Sequence, residues 1–318
     1  MVEQQEKIKF FDPHFHLVDW DNGPHKDNIA LWKTLYPTHP VFGIKDYENL
    51  VLGDGQPIEL MGGMFIEANA PEKDRIAESL WVDKQLDQSE RPYGIVAGIN
   101  LQDDITETLR VNKELPRFRG FRNILNWDEG AEVNMDPEVK TNRFLEEKVR
   151  ANFKVMEEND VTFELMSNPH QYVVAADVFD TVPKLRVIID HRGFPSSVDE
   201  IKSEQYWTGM KRFAAMPNVF MKISFFARTD REWKDGDTVI EKAIELVKLF
   251  TPERCMFATN FPVDNADLFG TWTMKKMVET FNTIAKDFTP EQQACLWRET
   301  ALKAYRMDLA AGDGLPKK

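Results

Sequence analysis

The sequence predicts an α/β fold, a (β/α)8 barrel of parallel strands, from two observations: eight strand-length apolar runs, and amphipathic helical patterns in the stretches between them. A third observation separates this fold from the open, doubly wound sheet that shares the alternation. That fold would carry a glycine-rich phosphate loop after its first strand, and here the position reads DPHFHL.

The runs, in order, are IKFFDPHFHL (8–17), IELMGGMFIEAN (58–69), YGIVAGINL (93–101), FRGFRNIL (118–125), TFELMSN (162–168), LRVIIDH (185–191), VFMKISFF (219–226) and CMFATNFP (255–262). Each is short and rich in Val, Ile or Phe, as strands buried on both faces are. Between them, Leu145, Val149, Phe153 and Met156 recur at helical spacing. So do Ile240, Ile244, Val247 and Phe250, and then Met274, Val278, Phe281, Ala285 and Phe288. A last helix opens on Thr289, with Pro290 at its first position and Gln292 completing a capping box. Its apolar face is Ala294, Trp297, Ala301 and Tyr305.

Residues 18–57 make a connection too long for an ordinary strand-to-helix loop, and it contains Trp20, Trp32 and Tyr36. It is expected to lie over the catalytic face as a lid, its aromatic rings either stacking on substrate or fastening it to the barrel. Residues 308–318 read as a flexible tail, and the whole chain, 1–318, as one barrel domain with no repeat or linker to divide it. With 40 Lys+Arg against 53 Asp+Glu, the formal charge is −13. No basic cluster interrupts this balance, which excludes duplex nucleic acid and anionic membrane as partners and leaves a small-molecule substrate, with a homo-oligomer admissible. No apolar run approaches the ~20 residues of a membrane span, and the first twelve residues hold no signal-peptide core. Cys255 and Cys295 sit in apolar segments and read as buried thiols, so a cytoplasmic protein is expected.

Chemistry concentrates where a barrel places it, at the C-terminal ends of the strands. His14 and His16 stand two apart on the first strand and therefore share a face, together with Asp12. His170 lies just past the fifth strand and His191 closes the sixth. Converging imidazoles can ligate a metal or polarise a substrate oxygen. Near the fourth strand, Arg119 and Arg122 have opposite parity, so Arg122 alone is expected to point inward, where it could clamp a carboxylate. Glu67 ends the second strand, placed to bind a substrate hydroxyl or orient a histidine, and Lys222 reads as an inward structural charge on the seventh.

In order and spacing these residues resemble the TIM-barrel amidohydrolase superfamily, and within it the lactonase-like, amidohydrolase-related branch. The D-x-H-x-H opening is matched by Asp12, His14 and His16, and R-G-x-R by Arg119, Gly120, Phe121 and Arg122. D-H-x-G-x-P is matched by Asp190, His191, Gly193 and Pro195, and K-[LI]-S by Lys222, Ile223 and Ser224. The resemblance runs from about residue 10 to residue 307. It implies a hydrolase of a small cyclic ester or related carbonyl compound, and, where a zinc ion is bound, His14, His16 and His170 as its ligands. One departure stands out: the branch's eighth-strand G-S-D-W-P is here Ala258, Thr259, Asn260, Phe261 and Pro262, so the usual basic carboxylate is an amide. Asn260 can still hold a water for His191 to activate. Asp264, four residues on, either replaces the missing base or caps the next helix. The resemblance also admits a non-oxidative decarboxylase of a small unsaturated or aromatic acid, and a barrel without turnover kept as a binding protein.

Overall fold

The computed structural model describes residues 7–28, 33, 40–53, 55–130 and 139–315. Eight strands form one parallel sheet in chain order: β1 (Ile8–Phe15), β2 (Ile58–Ile66), β3 (Tyr93–Gly98), β4 (Phe118–Ile124), β5 (Thr162–Met166), β6 (Val187–Ile189), β7 (Val219–Ile223) and β8 (Cys255–Phe257). The sheet curls until β8 meets β1. A parallel bridge joins Phe15 to Phe261, and the backbone amides of Asn260 and His16 donate to the carbonyls of His14 and Phe261, each at 2.8 Å. This is the (β/α)8 TIM barrel that the sequence predicts.

Each strand is followed by a helix: α1 (Ile44–Leu52), α2 (Arg75–Leu86), α3 (Thr106–Lys113), α4 (Glu147–Glu158), α5 (Tyr172–Phe179), α6 (Glu204–Ala214), α7 (Gly236–Phe250) and α8 (Met274–Ala285). Their apolar stripes pack on the outer face of the sheet in the main core. The inner face is filled by strand residues Phe11, Met64, Ile66, Val96, Ile188, Phe220 and Met256, closed by Ala301, Ala304 and Tyr305 of the last helix. That helix begins as expected: Thr289 accepts from the Gln292 amide, and Gln292 returns the bond. It passes through a π turn at Cys295–Glu299 before ending at Tyr305. Among the described residues no helix is long and apolar enough to cross a membrane.

The predicted runs are longer than the strands because their last residues leave the sheet. Residues 67–69, 190–191, 224–225 and 258–262 are the turns that build the upper face. Two helix assignments shift at their ends. Leu145 precedes α4 and is 62% exposed, and Phe288 follows α8 and is only partly buried.

Two stretches, 18–57 and 308–315, make contacts in their described parts that the sequence does not reveal. The connection 18–57, in its described parts, packs beside the barrel. Val18–Asp19 and Val41–Phe42 pair as a short antiparallel ribbon, α1 buries Ile44, Tyr47 and Val51, and His25 Nε2 meets Glu78 on α2 at 2.8 Å. Trp20 is buried in the core, while Trp32 and Tyr36 lie outside the described residues. The tail is not free through residue 315. The Gly314 carbonyl accepts from the Tyr93 amide at 3.0 Å and from Arg117 Nε at 3.3 Å, and Asp313 pairs with Arg119 at 3.1 Å. Gly314 has φ +76°, and a Cβ there would lie 2.5 Å from the Tyr93 carbonyl oxygen. Gly314→Ala should therefore lower unfolding free energy by about 1–2 kcal/mol in urea titration. An unchanged midpoint would mean that the tail contributes nothing.

Candidate active site

β1 is irregular, and that irregularity sorts its polar residues. Its register against β2 shifts between Phe10 and Phe11 and again between Asp12 and Phe15. Asp12 consequently does not join the histidines. Its carboxyl accepts from the Tyr47 hydroxyl at 2.8 Å and from the backbone amides of Thr259 and His14, locking β1 to α1 and to the end of β8. Burial pushes this carboxyl up to about 6 against those donors.

His14 and His16 do converge, with their Nε2 atoms 3.2 Å apart. His16 Nδ1 lies 2.8 Å from the Ile66 carbonyl oxygen, to which it donates, leaving its Nε2 as an acceptor. His14 Nδ1 faces the Lys222 ammonium at 3.1 Å. If Lys222 donates to His14, His14 Nε2–H donates to His16 and every partner in the row is satisfied. Burial and then Arg122 push His16 down to about 4. His14 lies well below the ordinary 6.5, through burial first and Lys222 second. Both rings are neutral near pH 7.

Beneath them sits a buried charge cluster. Arg122 points inward, as parity predicts. Its Nε and Nη2 donate at 2.7 Å to the carboxylate and the backbone carbonyl of Glu67, and its Nη1 lies 3.2 Å from Asp190 Oδ2. Arg119 faces outward. Lys222 pairs with Asp190 Oδ1 at 3.1 Å and with Glu164, whose other oxygen takes the Tyr305 hydroxyl. Burial alone would raise Asp190, but Lys222 holds it well below the usual carboxylate range. Burial would likewise raise Glu67, yet Arg122 and Arg75 hold it low. Glu164 is the carboxyl that yields, driven well up by burial against Lys222. Two cations thus face two carboxylates and one protonated acid, which lets the cluster exist in the barrel interior.

Above the cluster opens a pocket of about 190 Å³. Its floor is His16, Arg122, His191 and Asn260, and its walls include Ile124, Met166, Phe194, Phe225 and Phe269. His191, Arg192, Phe194, Phe225 and Asn260 all carry left-handed φ values of 54–65°. Such conformations cost energy in residues with side chains and gather at functional turns. His191 Nδ1 lies 2.9 Å from Ser224 Oγ, while burial holds the ring well below 6.5. Asn260 Oδ1 lies 3.3 Å from His16 Nε2, and its Nδ2 donates to Asp264 Oδ1 at 2.7 Å.

Of the residues singled out in the sequence, the structure brings His14, His16, Arg122, His191 and Asn260 together. Glu67 reaches the site by holding Arg122, and its other oxygen accepts the Asn69 amide. Asp264 stands behind Asn260. It caps no helix and does not line the pocket, and burial drives its carboxyl well up. His170 is not brought in: its Nε2 faces the Trp127 carbonyl oxygen at 2.8 Å and its Nδ1 lies 3.7 Å from Asp128, both near the surface. Position just past a strand does not say which way a side chain turns. None of the described residues of 18–57 lines the pocket, and residues 29–32, 34–39 and 54 lie outside the described residues; the walls that are described come largely from turns after β6, β7 and β8. Sequence reasoning left Asp190 and Ser224 as motif letters without a role and missed Glu164 and Tyr305. Asp190 was the visible signal, since it precedes His191 and a buried acid needs partners. His14, Asp190 and His191 also bring potential metal-binding atoms within 4.8 Å of one another.

Removing Lys222 would strip Asp190 Oδ1 of its cation in the interior and leave Arg122 as the only ion pair of that carboxylate among the described residues. Lys222→Met should cost about 3–5 kcal/mol in denaturant unfolding, whereas a loss below about 1 kcal/mol, the range of exposed pairs, would contradict the buried cluster.

The geometry can be set beside known proteins. The uncharacterized y4mH protein of Sinorhizobium fredii (strain NBRC 101917 / NGR234) is 24% identical over 309 residues, covering 94% of this chain and 99% of its own. Among solved structures, an amidohydrolase from Burkholderia multivorans with bound zinc superposes with TM-score 0.75 at 15% identity, over 95% of this chain and 100% of that one. A Pseudomonas putida protein provisionally assigned as a 2-pyrone-4,6-dicarboxylic acid hydrolase gives 0.69 at 14%, over 93% and 97%. A 2,6-dihydroxybenzoate decarboxylase from Rhizobium gives 0.60 at 17%, over 95% and 99%. At these identities the structural likeness is one of fold. The amidohydrolase family model, however, matches residues 11–307, from the first strand of the barrel to the end of its last helix, and the chain therefore belongs to the amidohydrolase family of enzymes.

Proposed function

We propose that the chain hydrolyses a small cyclic ester, opening a lactone ring by attack of a water held between His191 and Asn260. The observation that carries this reading is the meeting of His16, Arg122, His191 and Asn260 on the floor of one apolar-walled pocket. Ring opening needs a base for the water, positive charge for the oxyanion and a proton for the departing ring oxygen. His191 suits the first and last tasks. With Nδ1–H donated to Ser224, its Nε2 keeps a lone pair and has no hydrogen-bond partner among the described residues. Asn260 Oδ1 can accept the water's other hydrogen, because its Nδ2 is committed to Asp264.

As the water oxygen bonds to the carbonyl carbon, its proton passes to His191 Nε2 and the carbonyl π pair moves onto oxygen. Arg122, held by Glu67 and Asp190, supplies positive charge beside that oxyanion. Collapse of the tetrahedral intermediate breaks the ring C–O bond, the leaving oxygen takes the proton back from His191, and a hydroxy acid is released. Asp264, which sequence reasoning admitted as a base, retains its own proton through burial and serves to orient Asn260.

The donor set also fits a divalent ion, provided His14 takes its other tautomer, with Nδ1–H toward Asp190 Oδ1 at 3.3 Å and Nε2 unprotonated. Two nitrogens bound tetrahedrally at about 2.0–2.1 Å stand about 3.3 Å apart. His14 Nε2 and His16 Nε2 are 3.2 Å apart, and Asn260 Oδ1 is 3.3 Å from the latter. His14, His16 and Asn260, in place of the expected set with His170, would hold a zinc ion, which when bound polarises a carbonyl and acidifies water.

His191→Ala should lower kcat/KM on a panel of small lactones by about 10²–10⁴-fold with the fold intact by circular dichroism. Unchanged activity per folded molecule would sink the assignment. A second reading is favoured by one feature, the amide at Asn260 where a hydrolytic base is expected. Decarboxylation of a small unsaturated or aromatic acid needs a proton donor and no such base. Release of CO₂ rather than ring opening on the same panel of acids and lactones would decide for it.

A further inference from the structure

The pocket has two guanidinium groups, and they are not equivalent. Arg122 on the floor is already paired: Glu67 and Asp190 both bond it, so it keeps its charge but its donors are largely occupied. Arg228 is different. It lies in the short helix Phe226–Thr229 after β7 and lines the same pocket. No carboxylate lies within ion-pair distance of it among the described residues, and its Nε is buried without a hydrogen-bond partner. The group is half-buried, and desolvation lowers its pKa, with only the more distant Glu200 and Asp128 opposing.

An unpaired, partly desolvated cation is costly unless something anionic meets it. Its surroundings do not supply that. The guanidinium stacks on the Phe194 ring, with its central carbon 4.3 Å from the ring centroid. Phe194 in turn packs on Phe225 at 6.1 Å, and Phe225 on Phe269 at 4.8 Å between centroids. These rings, with Ile124 and Met166, form an apolar cluster separate from the barrel core. Stacking fixes the plane of the guanidinium and leaves its edge for a planar anion.

We propose that Arg228 is a specificity-determining residue that receives the carboxylate of the substrate, so that the pocket takes a flat, apolar ring acid. The reacting carbonyl would sit over His191 and Asn260, the ring between Met166, Phe194, Phe225 and Phe269, and the carboxylate at Arg228. This rests on the pocket being the substrate site of the proposed hydrolase, but its test needs no turnover.

The experiment measures, by isothermal titration calorimetry, binding of benzoate, 3-phenylpropionate and 4-phenylbutyrate, each against its uncharged primary amide. The proteins are the wild type, Arg228→Lys and Arg228→Met. A charge-assisted hydrogen bond predicts that at least one acid binds the wild type about tenfold or more tighter than its amide. That preference should fall below about threefold in Arg228→Met, with amide affinity unchanged, and be partly kept in Arg228→Lys. It should also weaken as salt is raised. Acids that bind the wild type no better than their amides, including not at all, overturn the proposal whether or not the variants fold. So does an acid preference that survives in Arg228→Met, which would assign the anion to Arg122. A protein that prefers acids through Arg228 yet opens no lactone keeps this inference and loses the hydrolase reading, and the reverse pattern separates the two equally well.

Discussion

Inside the barrel the Asp190 carboxylate meets Lys222 at 3.1 Å, Arg122 at 3.2 Å and His14 at 3.3 Å, with no water-exposed surface of its own. The rest of the upper face depends on this contact. A buried carboxylate is tolerable only when paired and hydrogen-bonded, and each partner it recruits is thereby fixed in place. Lys222 then settles which nitrogen of His14 can donate, His14 settles His16, and His16 ends the row on the Ile66 carbonyl. Arg122 is aimed by Asp190 from one side and Glu67 from the other. The interaction contributes position more than stability, since desolvation of the charges offsets much of their attraction.

The strand ends convert that buried order into a pocket. Each of β6, β7 and β8 stops a residue or more before its apolar run does, and the residues that follow turn through left-handed backbone at His191, Phe225 and Asn260. These turns direct His191 and Asn260 over the cluster and stand aromatic rings around them. The barrel below is filled with apolar side chains and closed by Tyr305, whose hydroxyl joins the cluster through Glu164. Core and site are therefore joined through the polar contacts of Tyr305, Glu164 and Lys222.

Much of this was legible in the sequence. Strands buried on both faces are nearly continuous apolar runs, so all eight could be placed, and a period of two was enough to turn Arg122 inward and Arg119 outward. The same period misplaced Asp12, because the register shifts of β1 leave no mark in the sequence. His170 failed for another reason: past a strand end there is no periodicity, and its backbone turns it toward Trp127. The contacts of 308–315 leave no mark in the sequence, because their anchor is a backbone carbonyl, at Gly314, meeting Tyr93 and Arg117 from distant parts of the chain. Arg228 had no signal either, since what distinguishes it is the lack of a partner, which only three-dimensional neighbours define.

The central claim is that a buried, charge-compensated cluster keeps the pocket's imidazoles neutral and ready to accept a proton. Its most direct test is nitrogen-15 NMR of the His191 ring in chelator-treated protein between pH 8 and 5.5, assigned with His191→Gln. Burial holds this ring well below the ordinary 6.5, so the account predicts a neutral ring with unchanged nitrogen shifts at pH 6, protonated at the nitrogen that faces Ser224. A ring that titrates near 6.5, or that carries its proton on the pocket side, would contradict it.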